Sequence, residues 1–212
     1  MFNQMIKKSI HKSQHCNRNW DLSKTIPQKD VDLIVESATQ CPVKQNLNFY
    51  KTHVITDRDK IEKIHEHTEG FFIDGVPHTN SQTLANVLIA FTHDEPTMKR
   101  EWVREPDING KYQNVSHNEE HEENSNNVDR LMAVGIATGY VNLVSTMLGY
   151  ETGCCRCFDE EPIQKIIGDE HGEPILLMGI GYPDETRSRL EHHTKGTRFP
   201  SLKNRRETVF HA

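Results

Sequence analysis

The chain has 212 residues, 34% hydrophobic and 26% charged, which is enough for one medium-sized domain with a buried core and too apolar for a disordered polymer. Its net charge of −6 argues against a broad basic face for nucleic acid, though not against a local cationic pocket. No apolar run approaches the roughly 20 residues of a bilayer span, and residues 1–12 lack the apolar segment of a secretory signal. Five cysteines, three of them bunched at Cys154, Cys155 and Cys157, suit free thiols in a reducing cytoplasm better than a disulfide framework.

Residues 1–13 are polar and basic, an arm or a first helix. Pro27 suits the first turn of a helix, and Val31, Ile34, Val35 and Ala38 recur at helical spacing until Pro42 stops the run. Residues 52–56 are rich in β-branched side chains and predict a strand. Residues 57–67 predict a charged surface helix with Ile61 and Ile64 inward, and residues 87–91 a buried strand. Residues 93–127 turn polar, with an acidic and Asn-rich heart at 118–124, and are expected to form a mobile excursion outside the core. The strongest helix spans 129–148 and stops before Gly149. Gly135 and Gly139 inside it each cost about 1 kcal/mol relative to alanine, which points to close packing by another helix, a ligand or a second subunit.

Ile163, Ile166 and Ile167 mark a short helix ended by Gly168, and residues 175–181 a buried strand entering the Tyr182-Pro183 turn. The tail is basic, with Lys195, Arg198, Lys203, Arg205 and Arg206. Strands alternate with helices, but not as regular βαβ units. The expected fold is α+β, a mixed central sheet wrapped by helices in a single domain over residues 1–212.

Two segments carry chemistry. Gln14-His15-Cys16-Asn17-Arg18-Asn19-Trp20 sets imidazole, thiol and guanidinium side by side. Arg18 and His15, with the C-terminal Lys/Arg group, can bind a phosphate, since an arginine presents a planar two-donor fork; a solvated basic surface is the plain alternative. Cys41-Pro42-Val43-Lys44-Gln45-Asn46 offers amides suited to the edge of a heterocycle, as do Asn80 and Gln82, or else it is an ordinary helix-terminating loop. Gly153-Cys154-Cys155-Arg156-Cys157-Phe158 contains half of a zinc spacing, with His192-His193 as a conceivable other half, but no second CxxC. Arg156 could activate a neighbouring thiol, although no Cys/His/Asn nucleophile signature surrounds it. The simplest expectation is a tight loop of small residues under a ligand. No catalytic side chain and no metal site is assigned.

Taken in order, these pieces resemble the FMN-dependent nitroreductase family from about Gln14 to Val209. The family's opening Arg-Arg/His-Ser-x-Arg/Lys-x-Phe is similar to residues 14–20, and its Pro-Ser-x-x-Asn-x-Gln-Pro-Trp to residues 42–50. Its long central helix ending in Leu-Gly resembles residues 129–149, its flavin-side loop residues 154–159, and its Gly-Tyr-Pro residues 181–183. The departures are Gln14 for arginine, Cys16 and Val43 for serine, and Phe49-Tyr50 for Pro-Trp.

The resemblance implies a homodimer with FMN at the subunit interface. Gln14, His15, Cys16 and Arg18 would hold the phosphate and ribityl chain, joined by Lys203 and Arg205, or by Arg198 in a competing alignment. Val43, Lys44 and Asn46 of the other subunit would meet the ring. Asn80 or Gln82 would touch its edge, and the amides of Cys155, Arg156 and Cys157 would lie near N5 and O4. The activity implied is electron transfer from NAD(P)H through FMN to a nitroaromatic, quinone or similar acceptor in the cytoplasm. The alternative is a degenerate flavin-binding or protein-interaction module.

Overall fold

The computed structural model describes residues 2–68, 70–94, 119–168, 170, 172–192, 198 and 208–210. Five α-helices occur among them: α1 (Phe2–Ser13), α2 (Gln28–Thr39), α3 (Arg58–Glu66), α4 (Glu119–Met147) and α5 (Glu160–Ile167). The strands are β1 (Tyr50–Ile55), β2 (Phe71–Ile73), β3 (Val76–His78), β4 (Val87–His93), β5 (Glu151–Cys155) and β6 (Pro174–Gly181), and two single 3-10 turns, η1 (Lys44–Asn46) and η2 (Ser81–Thr83), complete the set.

The central sheet runs β1-β4-β6-β5, with β2 and β3 as a separate ribbon. Side chains alternate between its faces, and both faces are covered. Val87, Ile89 and Phe91 of β4 join Met178 and Ile180 of β6 under α2 and α4. Leu88, Ala90 and Leu177 join Ile61 and Ile64 of α3 and Ile163 of α5 on the other face. This two-sided burial is why β4 reads as an uninterrupted apolar run. The expected α+β fold is therefore observed, but the central sheet, expected to be mixed, is antiparallel. All three ladders are antiparallel, and the parallel component is an isolated bridge from Cys16 to Thr152.

The first helix, α2, α3, β1, β4 and β6 lie where the sequence places them, within a residue or two at their ends. Pro27 stands at the N-cap of α2 rather than inside its first turn. Asp57 caps α3 by accepting from the Lys60 N–H at 2.7 Å. Two expectations are corrected. Residues 119–127 belong to the backbone of α4 rather than to an excursion, because the helix-compatible acidic and polar run continues the helix upstream; residues 95–118 lie outside those described. Cys154 and Cys155 sit in edge strand β5 rather than in a loop, held by pairing with Met178 and Leu177. Among the described residues nothing lies within 4 Å of where a Cβ on Gly135 or Gly139 would stand, so the close neighbour expected there is not another described helix of this chain.

The β2–β3 ribbon is unforeseen. Its turn, Asp74-Gly75, has φ of 50° and 77°, the paired positive values that two-residue hairpins favour. Among the described residues no helix is long and apolar enough to cross a membrane.

Ile89 is fully buried between layers, whereas Val54 on β1 is 37% exposed. Ile89→Ala is expected to lower unfolding free energy by about 2–5 kcal/mol in urea titrations, and Val54→Ala by no more than about 0.5 kcal/mol.

Candidate functional site

Edge strand β5 is the spine of the site. The chain leaving α1 runs along its free edge, where the Asn17 N–H donates to the Thr152 carbonyl at 2.8 Å. Over one face of β5 and β6, η2 closes down. Gln82 Nε2 donates to the Cys154 carbonyl at 3.3 Å, and Asn80 Nδ2 to the Cys157 carbonyl at 3.2 Å. The approach is possible because Gly153 and Gly179 face each other across the ladder. A Cβ on Gly153 would lie 2.5 Å from Gln82 Cβ and 2.7 Å from the Asn17 carbonyl oxygen, and one on Gly179 would lie 2.1 Å from the Gln82 carbonyl oxygen.

A third segment is strapped onto the first. Asn19, 1% exposed, donates through Nδ2 to the carbonyls of Ser188 and Glu191, both at 2.6 Å. Trp20 Nε1 donates to the Ser81 carbonyl at 3.0 Å, tying the same stretch to η2. Arg189 lies on the strapped segment, and both it and Arg18 are close enough to Cys16 to act on its thiol. Burial pushes the Cys16 thiol up, while the positive charges of Arg18 and Arg189 pull it down. Burial also pushes the Cys155 thiol up, to about 12, with Arg18 among the groups opposing it. Two guanidinium groups, buried amides and the end of β5 thus converge at one edge of the sheet. Gln82 is buried, and its Oε1 has no hydrogen-bond partner among the described residues.

The expected residues divide. Cys16, Arg18, Asn80, Gln82, Cys155 and Cys157 come together at β5. His15 is at the same bend but exposed. Gln14 turns back, donating to the His11 carbonyl at 2.9 Å. The Arg156 side chain turns outward to Glu160 at 2.7 Å and lies over the Phe158 ring, so its backbone alone borders the site. Arg198 is exposed and bridges Glu191, which places it next to the strap formed by Asn19. Lys203 and Arg205 lie outside the described residues.

Val43, Lys44 and Asn46 stand apart, at η1 before β1, the opposite edge of the sheet. Asn46 takes a left-handed φ of 54°, and Lys44 Nζ pairs with the buried carboxylate of Asp129 at 2.7 Å. Among the described residues no group of three or more His, Cys, Asp or Glu is arranged to hold a metal. Instead His192 Nε2 hydrogen-bonds the Thr79 carbonyl at 3.0 Å. Arg189 lies outside the basic tail expected from the sequence, which starts at Lys195. The available signal was Arg187-Ser188-Arg189 directly after the last strand and its turn.

A family model described as the nitroreductase family matches residues 12–182. The chain belongs to the nitroreductase family. That membership makes it an oxidoreductase of α+β fold. Among solved structures it is similar to a nitroreductase family protein from Streptococcus pneumoniae, with 20% identity, TM-score 0.62, and coverage of 97% of this chain and 100% of that one. A protein from Exiguobacterium sibiricum solved in complex with FMN shows 19% identity, TM-score 0.62, and coverage of 93% and 92%. An FMN-dependent nitroreductase from Clostridium difficile shows 15% identity, TM-score 0.55, and coverage of 81% and 84%. At these identities the likeness is one of fold. No curated protein matches the chain.

Gly153→Ala is expected to force η2 off β5, lowering the thermal midpoint and raising proteolysis near Gln82; an unchanged melt would show that the contact relaxes freely. Burial pushes the Cys155 thiol up to about 12 from an ordinary 9.0. Its folded pKa is the higher, so its stabilising contribution is complete below 9 and is lost as pH rises from 9 towards 12. Urea unfolding at about pH 8 and about pH 10.5 should therefore show a drop that is smaller in Cys155→Ala.

Proposed function

We propose that the chain is a flavoprotein that binds FMN between two copies of itself and passes electrons from NAD(P)H to a small acceptor such as a nitroaromatic or quinone. The observation that carries this reading is the convergence of Arg18 and Arg189 with Asn80, Gln82 and the end of β5. A phosphate wants two or more fixed cationic donors, and a flavin ring edge wants amide donors and acceptors. The residues fit the cofactor. The buried Gln82 Oε1, unpartnered among the described residues, is an acceptor suited to a heterocycle N–H. Bound FMN supplies the hydride and electron transfer.

The protein's part is positional and electrostatic. Arg18 and Arg189 hold the phosphate, and their charge favours an anionic ring edge nearby. Lys44 contributes less charge, because Asp129 already neutralises it. Asn80 and Gln82, fixed by their bonds to β5, orient the ring. No side chain is required as acid or base.

A second copy completes the site in this proposal. β1 and β5 are the two edges of the sheet, roughly 14 Å apart at about 4.8 Å per strand, so residues 43–46 of one chain cannot close over its own β5. A partner's can. Leu131, Met132, Ile136 and Tyr140 form an exposed apolar stripe on α4, at helical spacing with the open Gly135 and Gly139. Small residues let a second helix approach closely. All five cysteines are unpaired, which favours a reducing, cytoplasmic setting.

The retreat of Gln14 from the anion group keeps one rival in view, a module that holds flavin without turnover. Purified protein should be yellow with a flavin spectrum, and NADH or NADPH should bleach it anaerobically. Flavin that binds but resists both nicotinamides would select the rival; colourless protein that ignores added FMN would remove both. Arg18→Gln and Arg189→Gln should each weaken FMN binding at least about tenfold, or about 1.4 kcal/mol, in fluorescence titration. Gly135→Leu should shift the protein from dimer to monomer in sedimentation and lower FMN affinity with it.

A further inference from the structure

A cavity of about 420 Å³ opens at the end of the sheet where β1 stops and β4 starts. It shares no lining residue with the site at β5. Its floor is apolar: Ile26, Val31 and Val87, each 5% exposed. Its rim carries Lys24, Gln28 and Arg58, and among the described residues no carboxylate lines it. Below the floor residues a wholly apolar crevice, too narrow for water, continues between α2 and the sheet to Ile34, Ile89 and Ile180.

The two cations are held in place from outside the cavity. Lys24 Nζ lies 2.9 Å from Asp21 Oδ2 and 5.3 Å from the centre of the Tyr182 ring. Arg58 Nη1 donates to the carbonyls of Leu84 and Ala85 at 3.2 and 3.0 Å, and its Nε lies 3.1 Å from Glu62. Helix α2 begins here with no side-chain cap, and Asp30 stands in its first turn and offsets the positive end of its dipole.

We infer that this cavity binds an amphipathic carboxylate, a small organic acid with an aliphatic or aromatic body. The apolar floor of Ile26, Val31 and Val87 takes the body, and Lys24 and Arg58 take the carboxylate. An inorganic anion would leave the apolar floor unused, and a neutral apolar molecule would leave both cations without a new partner. The volume suits a small molecule. The inference stands independently of the flavin reading.

The test is calorimetric titration of the full chain, with and without saturating FMN, using octanoate, octan-1-ol and inorganic phosphate. Octanoate should saturate at one site per chain, at least fivefold tighter than either control, and FMN should not compete. Lys24→Gln should weaken octanoate at least fivefold, and Lys24→Glu further, with FMN binding unchanged. Lys24 is chosen because Arg58 also holds the backbone of residues 84 and 85. The proposal is overturned by absence of saturable octanoate binding, by octanol or phosphate binding as tightly, by competition with FMN, or by equal affinity in the Lys24 variants.

Discussion

Backbone can press against backbone only where no side chain intervenes, and the ladder position that pairs Gly153 with Gly179 supplies such a place. The turn carrying Gln82 settles into it, with 2.5 Å between Gln82 Cβ and the position a Gly153 Cβ would occupy. The amides of Asn80 and Gln82 thereby reach the carbonyls of β5, and Trp20 reaches the Ser81 carbonyl. Asn19 then ties down residues 188–191, so the position of Arg189 depends on the same contact. A chain of short polar links, rooted in two glycines, assembles the cationic edge.

The sheet makes this arrangement durable. With helices on both faces, β4 and β6 are buried between two apolar layers, and the antiparallel ladders satisfy their polar backbone. Strands β1 and β5 are the sheet's edges. The open side of β5 is taken by the Cys16–Thr152 bridge rather than left to aggregate. The functional residues therefore lie on the irregular segments that finish the sheet, where backbone groups are still available.

Charge is distributed economically for an acidic protein. Much of the surface charge is taken up in local pairs such as Lys165 with Glu161 and Arg156 with Glu160, which contribute little to stability. Lys44, which by resemblance faces the ring, is spent on Asp129. Arg18 and Arg189 are the cations acting on Cys16 at β5, while Lys24 and Arg58, each with its own carboxylate partner, stand at the end of the sheet.

Period and punctuation in the sequence determined the elements that bury a clear face: α2 from Val31, Ile34 and Ala38, α3 from Asp57 and its two isoleucines, and β4 and β6 from their apolar runs. Order of motifs determined the family, and Arg18, Asn80 and Gln82 were visible as donors before their neighbours were. Other features required the folded chain. Cys154 and Cys155 look like loop residues locally, and pairing with β6 makes them a strand. Residues 119–127 look like solvent-facing polymer, and their helix is a continuation of the buried one after Val128. Arg189 lies 171 positions from Arg18 in the chain, and no local pattern links them; the Asn19 hydrogen bonds do. Local propensity is written in neighbours a few residues apart, whereas a site is made by contacts between distant segments, and those exist only once the sheet has formed.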